Sequence, residues 1–121
     1  MKTKPPILVI EDDPDTLEVL TLLLEREGYD VKFATTRDTA LKLIDSHFGC
    51  ILMDNFMVGM DAKTFIAAAR SKTPDTKFIL MTATNSVASE AARIGADKWI
   101  GKPFDINTLL CTIENCCVAA H

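Results

Sequence analysis

Glu11, Asp12, Asp54, Thr82 and Lys102 are the residues of this 121-residue chain whose types could do chemistry together. Each follows a short apolar run directly or within two positions. Two carboxylates about 4 Å apart repel by roughly 4 kcal/mol at an effective dielectric near 20. A third acid makes the group hard to keep ionised, and the single ammonium of Lys102 does not offset it. A hard divalent cation does, and an all-oxygen donor set with waters favours magnesium or manganese. Taken singly, each residue has a plainer reading. An acid after a strand is usually a turn residue or a helix cap, and Asp13, ahead of Pro14, reads as an N-cap. Thr82 alone reads as a turn residue, and Lys102 before Pro103 as a solvated side chain. Independent turns have no reason to supply this complementary set at one end of one sheet.

Whether they share one end depends on the elements that carry them. The apolar runs Ile7–Ile10, Val31–Ala34, Cys50–Met53, Phe78–Met81 and Trp99–Ile100 are near-continuous, as strands buried on both faces should be. Five segments of helical spacing alternate with them. Asp13–Pro14 opens the first helix, whose stripe is Leu17, Leu20, Leu23 and Leu24, and Gly28 is placed to end it. Thr36 caps the second, with Ala40, Leu41 and Ile44 inward. Phe65, Ile66 and Ala69 mark the third. Ser86 caps a short fourth that Gly95 ends. Asp105 caps the fifth, with Ile106, Leu109, Leu110 and Ile113 as its stripe. Strand and helix alternating five times specify an α/β domain with a parallel sheet and helices on both faces. The chain is too short for an eight-unit barrel, so a flavodoxin-like doubly wound (βα)5 sheet of order 2-1-3-4-5 is expected. In that order the first and third strands are neighbours where the winding reverses, and ligands bind beyond the carboxyl ends of the strands there. Glu11 and Asp12 should then lie beside Asp54.

Composition narrows the function classes. The formal charge of −4 and the scattered lysines and arginines argue against direct nucleic-acid binding, which needs a basic footprint. The apolar fraction of 48% can fill a core, and the charged fraction of 25% is ordinary for a globular protein. The apolar run after MKTKPP stops at Ile10, too short for a signal peptide. No stretch approaches the roughly 18 apolar residues of a membrane span, so a cytoplasmic protein is expected. Cys50, Cys111, Cys116 and Cys117 form no CxxC pair and have no histidine at metal-site spacing. All four read as structural.

With these residues in place, the chain resembles the receiver domain of bacterial two-component response regulators. The segments ILVIEDDPD, CILMDNFMVGMD, ILMTA and GADKWIGKPFD carry the resemblance, in the family's order and approximate spacing. It implies that Glu11 and Asp12 hold a magnesium or manganese ion, and that Asp54 is the phosphoacceptor and a further metal ligand. It also implies that Phe56, two residues on, lends its backbone carbonyl to the metal. Thr82 matches the hydroxyl that contacts the phosphoryl group, and Lys102 the lysine that pairs with a phosphoryl oxygen. Trp99 matches the aromatic that rotates inward on phosphorylation, altering the face made by the fourth helix, fifth strand and fifth helix; its plainer reading is a core aromatic at a strand end. The implied donor is the phosphohistidine of a histidine kinase or phosphotransfer protein, with an unknown downstream protein and a possible homodimer through that same face. Such a domain assists its own phosphorylation and is not a conventional enzyme.

Val58 stands where the family usually has proline and Ala62 where glycine is common, so the loop after Asp54 is expected to be unusual. Phe56 lies near the expected path of attacking water, which points to slow self-dephosphorylation. The main rival is a pseudo-receiver, a binding module that keeps the fold and has lost the phosphorylation, but all five polar residues are kept. A phosphatase with an aspartate nucleophile needs a second aspartate where Phe56 stands, and phenylalanine transfers no proton. A flavin-binding version needs a phosphate cradle after the first strand, and EDDPD repels phosphate. One receiver domain spanning 1–121, with a core of about 6–117, is expected. No output segment follows a last helix expected to end near Cys117. A stand-alone regulator, a relay intermediate and a receiver from a longer chain all stay open.

Overall fold

Consecutive apolar residues in an extended strand point alternately to its two faces, so ILVI can be buried throughout only between two layers. The computed structural model, which describes residues 4–44, 47–54, 61–82 and 92–119 with side chains as far as 116, has this arrangement. Strand β1 (Ile7–Ile10) and strand β3 (Cys50–Asp54) are buried along their whole length, as is all but the first residue of β4 (Lys77–Thr82). With β2 (Val31–Ala34) and β5 (Lys98–Gly101) they form one parallel sheet in the order β2-β1-β3-β4-β5, as expected.

The alternation separates the core in two. Leu8, Ile10, Ile51, Met53, Phe78 and Leu80 face one layer, with Ala40 and Ile44 and with Phe65, Ile66 and Ala69. These last belong to and around helices α2 (Arg37–Leu43) and α3 (Ala62–Lys72). Ile7, Val9, Cys50, Leu52, Ile79 and Met81 face the other, against Leu17, Leu20 and Leu24 of α1 (Pro14–Arg26). Leu109, Ile113 and Cys116 of the C-terminal helix (Ile106–Ala119) complete that layer. Each fully buried leucine or isoleucine contributes about 1.5–3 kcal/mol.

The edge strands depart from expectation. Lys32 and Phe33 of β2 are exposed, and of β5 only Ile100 is buried. Among the described residues each pairs with one neighbouring strand, and the side chains that remain buried are Ala34 of β2 and Ile100 of β5. Trp99 is 48% exposed, which sets aside its reading as a core aromatic. The C-terminal helix runs to Ala119, past the expected end near Cys117.

Helix ends follow local chemistry. Asp13 accepts the Thr16 N–H at 3.0 Å, Thr36 accepts the Thr39 N–H at 3.2 Å, and Asp105 accepts the Thr108 N–H at 3.2 Å. Gly28 has φ +92° and closes α1 in a Schellman motif: its N–H bonds the Glu25 carbonyl and the Tyr29 N–H bonds the Leu24 carbonyl. Residues 92–94 are helical and precede Gly95, also at φ +92°. Ser86, the expected cap of that helix, lies outside the described residues.

Candidate functional site

The parallel ladders decide which chain segments meet. Ile10 pairs with Met53 and Asp54 with Met81, so the residues leaving β1 and the end of β3 emerge side by side. Thr82 pairs with Gly101, and the Lys102 N–H donates to the Thr82 carbonyl at 2.8 Å. Four strands therefore deliver Glu11, Asp54, Thr82 and Lys102 to one end of the sheet.

Glu11 is 1% exposed, Asp54 is 7% exposed, and Thr82 is fully buried. Glu11 Oε1 accepts the Asp13 N–H at 3.0 Å, a donor that sequence reasoning did not foresee, and Oε2 accepts Lys102 Nζ at 3.3 Å. The same ammonium lies 3.3 Å from Asp54 Oδ1. Asp12 is exposed, and it, Glu11 and Asp54 each offer an oxygen within 4.8 Å of the others. Asp13 turns away to cap α1, in keeping with its plainer reading. Phe56 lies outside the described residues, as does Val58. The Lys102–Pro103 peptide is cis.

The electrostatics follow from crowding. Burial raises the Glu11 carboxyl above its ordinary value, and the charge of Asp54 adds to this. The Asp13 N–H and Lys102 pull the other way without cancelling it. For Lys102, burial works against the charged form, but attraction to Asp54 and Glu11, with hydrogen bonds to both, outweighs it and raises the ammonium above its ordinary value. Three carboxylates face one ammonium, and the set of hard oxygen donors fits a divalent cation.

A second polar cluster, absent from the sequence reading, lies at the amino end of β4 and β5. Arg70 of α3 donates to the Gly95 carbonyl at 2.8 Å and to Asp97 Oδ2 at 2.9 Å, and its guanidinium sits 5.0 Å from the centre of the Phe78 ring. Nothing in the spacing of Arg70 and Asp97 joins them; only the fold does. Elsewhere, an apolar groove along α1 and β2, lined by Pro14, Leu17, Glu18, Thr21, Leu22 and Phe33, includes none of the five polar residues.

Acids, a hydroxyl and a lysine gathered at the carboxyl ends of the strands place this chain in the class of doubly wound α/β domains whose polar residues collect where such sheets bind ligands. The model of the response regulator receiver domain family matches residues 7–114, and the chain belongs to that family. It is 32% identical over 118 residues to the transcriptional regulatory protein ZraR of Escherichia coli (strain K12), over 95% of this chain and 27% of that protein. The chain thus spans about a quarter of that relative's length. The crystal structure of a CheY-like receiver domain protein from Methanospirillum hungatei JF-1 superposes with TM-score 0.86 at 29% identity, over 95% of this chain and 94% of that one. Response regulator protein TrrA from Thermotoga maritima, in complex with Mg(2+)-BeF, gives TM-score 0.82 at 28% identity, over 92% and 97%. Receiver domains are signalling domains of two-component systems, not conventional enzymes. Among the described residues no helix is long and apolar enough to cross a membrane.

Proposed function

We propose that this chain is the phosphoacceptor switch of a two-component phosphorelay, with Asp54 as the residue phosphorylated. The observation that carries this reading is the placement of Lys102 Nζ 3.3 Å from both Glu11 and Asp54, with Asp12 completing the acidic set. An Asp54 carboxylate oxygen attacks the phosphorus of a phosphohistidine on a histidine kinase or phosphotransfer protein. The phosphorus–nitrogen bond breaks, its electron pair stays with the imidazole, and an aspartyl phosphate forms. Glu11, Asp12 and Asp54, with the backbone carbonyl of Phe56, would hold magnesium or manganese, which supplies positive charge to the phosphoryl oxygens. Lys102 balances charge on one of those oxygens, and Thr82, the other switch residue beside Trp99, forms a new bond to another. The half-exposed Trp99 stands outward, the starting position that an inward rotation requires. Its motion would alter the face around β5 that a downstream protein, or a second copy, reads. Residues 1–121 act in the cytoplasm as a receiver domain.

Trp99 is the only tryptophan and reports on this region. Magnesium is titrated, beryllofluoride is then added, and both steps are repeated with Asp54→Ala. A magnesium-dependent fluorescence change that grows with beryllofluoride and vanishes in the variant is expected. In parallel, treatment with a small-molecule phosphodonor should add one phosphoryl mass to the wild type and none to the variant. Silence in both measurements would overturn the reading in favour of a pseudo-receiver.

A further inference from the structure

Strand β5 has little to hold its register. Among the described residues it is four residues long, pairs with β4 alone, and buries one side chain, that of Ile100. Register is specified by a buried face, and a slip of one residue reverses which side chains face inward. Such a slip would also move the chain by about 3.3 Å along the strand, comparable with the 3.3 Å that separates Lys102 Nζ from Glu11 and from Asp54. Something beyond hydrophobic pattern must keep β5 in place.

The cluster at the opposite end of the strand meets that need. Asp97 immediately precedes β5. Its N–H donates to the Phe78 carbonyl at 2.9 Å, and its Oδ2 accepts the Phe78 N–H at 2.8 Å. Asp97 is thereby hydrogen-bonded to both backbone groups of one β4 residue, just ahead of the first ladder pair, Ile79 with Lys98. Arg70 bonds the other side of the same arrangement. One of its nitrogens reaches both Asp97 Oδ2 and the Gly95 carbonyl, while the guanidinium lies over the Phe78 ring. A planar guanidinium can donate both bonds from one nitrogen while lying over the ring, and a lysine ammonium cannot reproduce the planar stacking. The Arg70 and Asp97 side chains are 33% and 26% exposed, so the pair adds little to global stability. Its leverage is local.

We infer that Arg70 is a positioning residue for the phosphoacceptor site: by clamping Gly95 and Asp97 against β4 it sets the register of β5, and so the placement of Lys102 between Glu11 and Asp54. The consequence for phosphorylation rests on the role proposed above for Lys102. The register itself does not.

Arg70→Gln removes the charge and the stacked guanidinium, and Arg70→Lys keeps the charge alone. Ile44→Val, a small core truncation at the end of α2, serves as a control for mild destabilisation. Hydrogen exchange over residues 98–102 is measured without metal, and magnesium-dependent beryllofluoride affinity is read from Trp99. In Arg70→Gln, exchange over 98–102 should quicken while β1 and β3 stay protected, and affinity should fall about tenfold. Arg70→Lys should lie between it and the wild type, and carries the test alone if Arg70→Gln does not fold. Exchange and affinity within about twofold of wild type, or equal losses in Ile44→Val, would overturn the inference. A wild type silent to beryllofluoride with exchange quickened in Arg70→Gln would sink the phosphoacceptor reading and leave the register role standing.

Discussion

The two ends of the β4–β5 pair handle charge in opposite ways. At the amino end one guanidinium meets one carboxylate, and the backbone groups around them are bonded: Arg70, Asp97, Gly95 and both polar groups of Phe78. At the carboxyl end Glu11, Asp12 and Asp54 share the single ammonium of Lys102, and Glu11 is buried and raised above its ordinary value. Balanced charge ties elements together. A surplus of one sign, held in place by buried strands, is a cost to stability. The location of excess charge therefore distinguishes the end of this sheet proposed to be functional from the end that ties elements together.

The sharpest way to break that contrast is Asp54→Ala, expected to abolish acyl-phosphate formation as seen by intact mass. Next in size is Asp97→Ala at the structural end. It leaves the Phe78 N–H without its side-chain acceptor, and urea unfolding should show a loss of about 2 kcal/mol. Glu11→Gln at the functional end should have the opposite sign. Burial and the charge of Asp54 disfavour its ionised form, so removing that charge should stabilise the metal-free protein at neutral pH, and should lessen any gain in melting temperature on adding magnesium. If Glu11→Gln destabilises the metal-free protein, the surplus-charge reading fails.

The smallest effect concerns pH and involves neither cluster. Asp61, the residue before α3, accepts the Thr64 hydroxyl, and that bond holds its carboxyl below the usual range. A depressed carboxyl contributes stability that is present above its unfolded value and is lost as pH falls through its folded value. Asp61→Asn should therefore flatten the acid limb of the stability profile slightly and leave the neutral region unchanged. An identical acid limb in the variant would remove Asp61 from that account.

Much of this protein was legible in the order of its residues. Near-continuous apolar runs can be buried only between two layers, and such strands alternating with helices leave few topologies, so the sheet order followed. Caps at Asp13, Thr36 and Asp105 and the turn at Gly28 are local, because each side chain bonds a backbone group within a few positions. The acids, Thr82 and Lys102 were legible because each follows a strand whose neighbours the topology dictates. What pattern did not determine was exposure at the sheet edges: Phe33 and Trp99 are apolar in a run that reads as buried, yet both are about half exposed. Nor did it determine that Lys102 would bridge Glu11 and Asp54, that the Asp13 N–H would bond Glu11, or that Arg70 would reach Asp97 across 27 positions. Those contacts depend on angles and distances between elements, which periodicity does not encode and only packing in three dimensions decides.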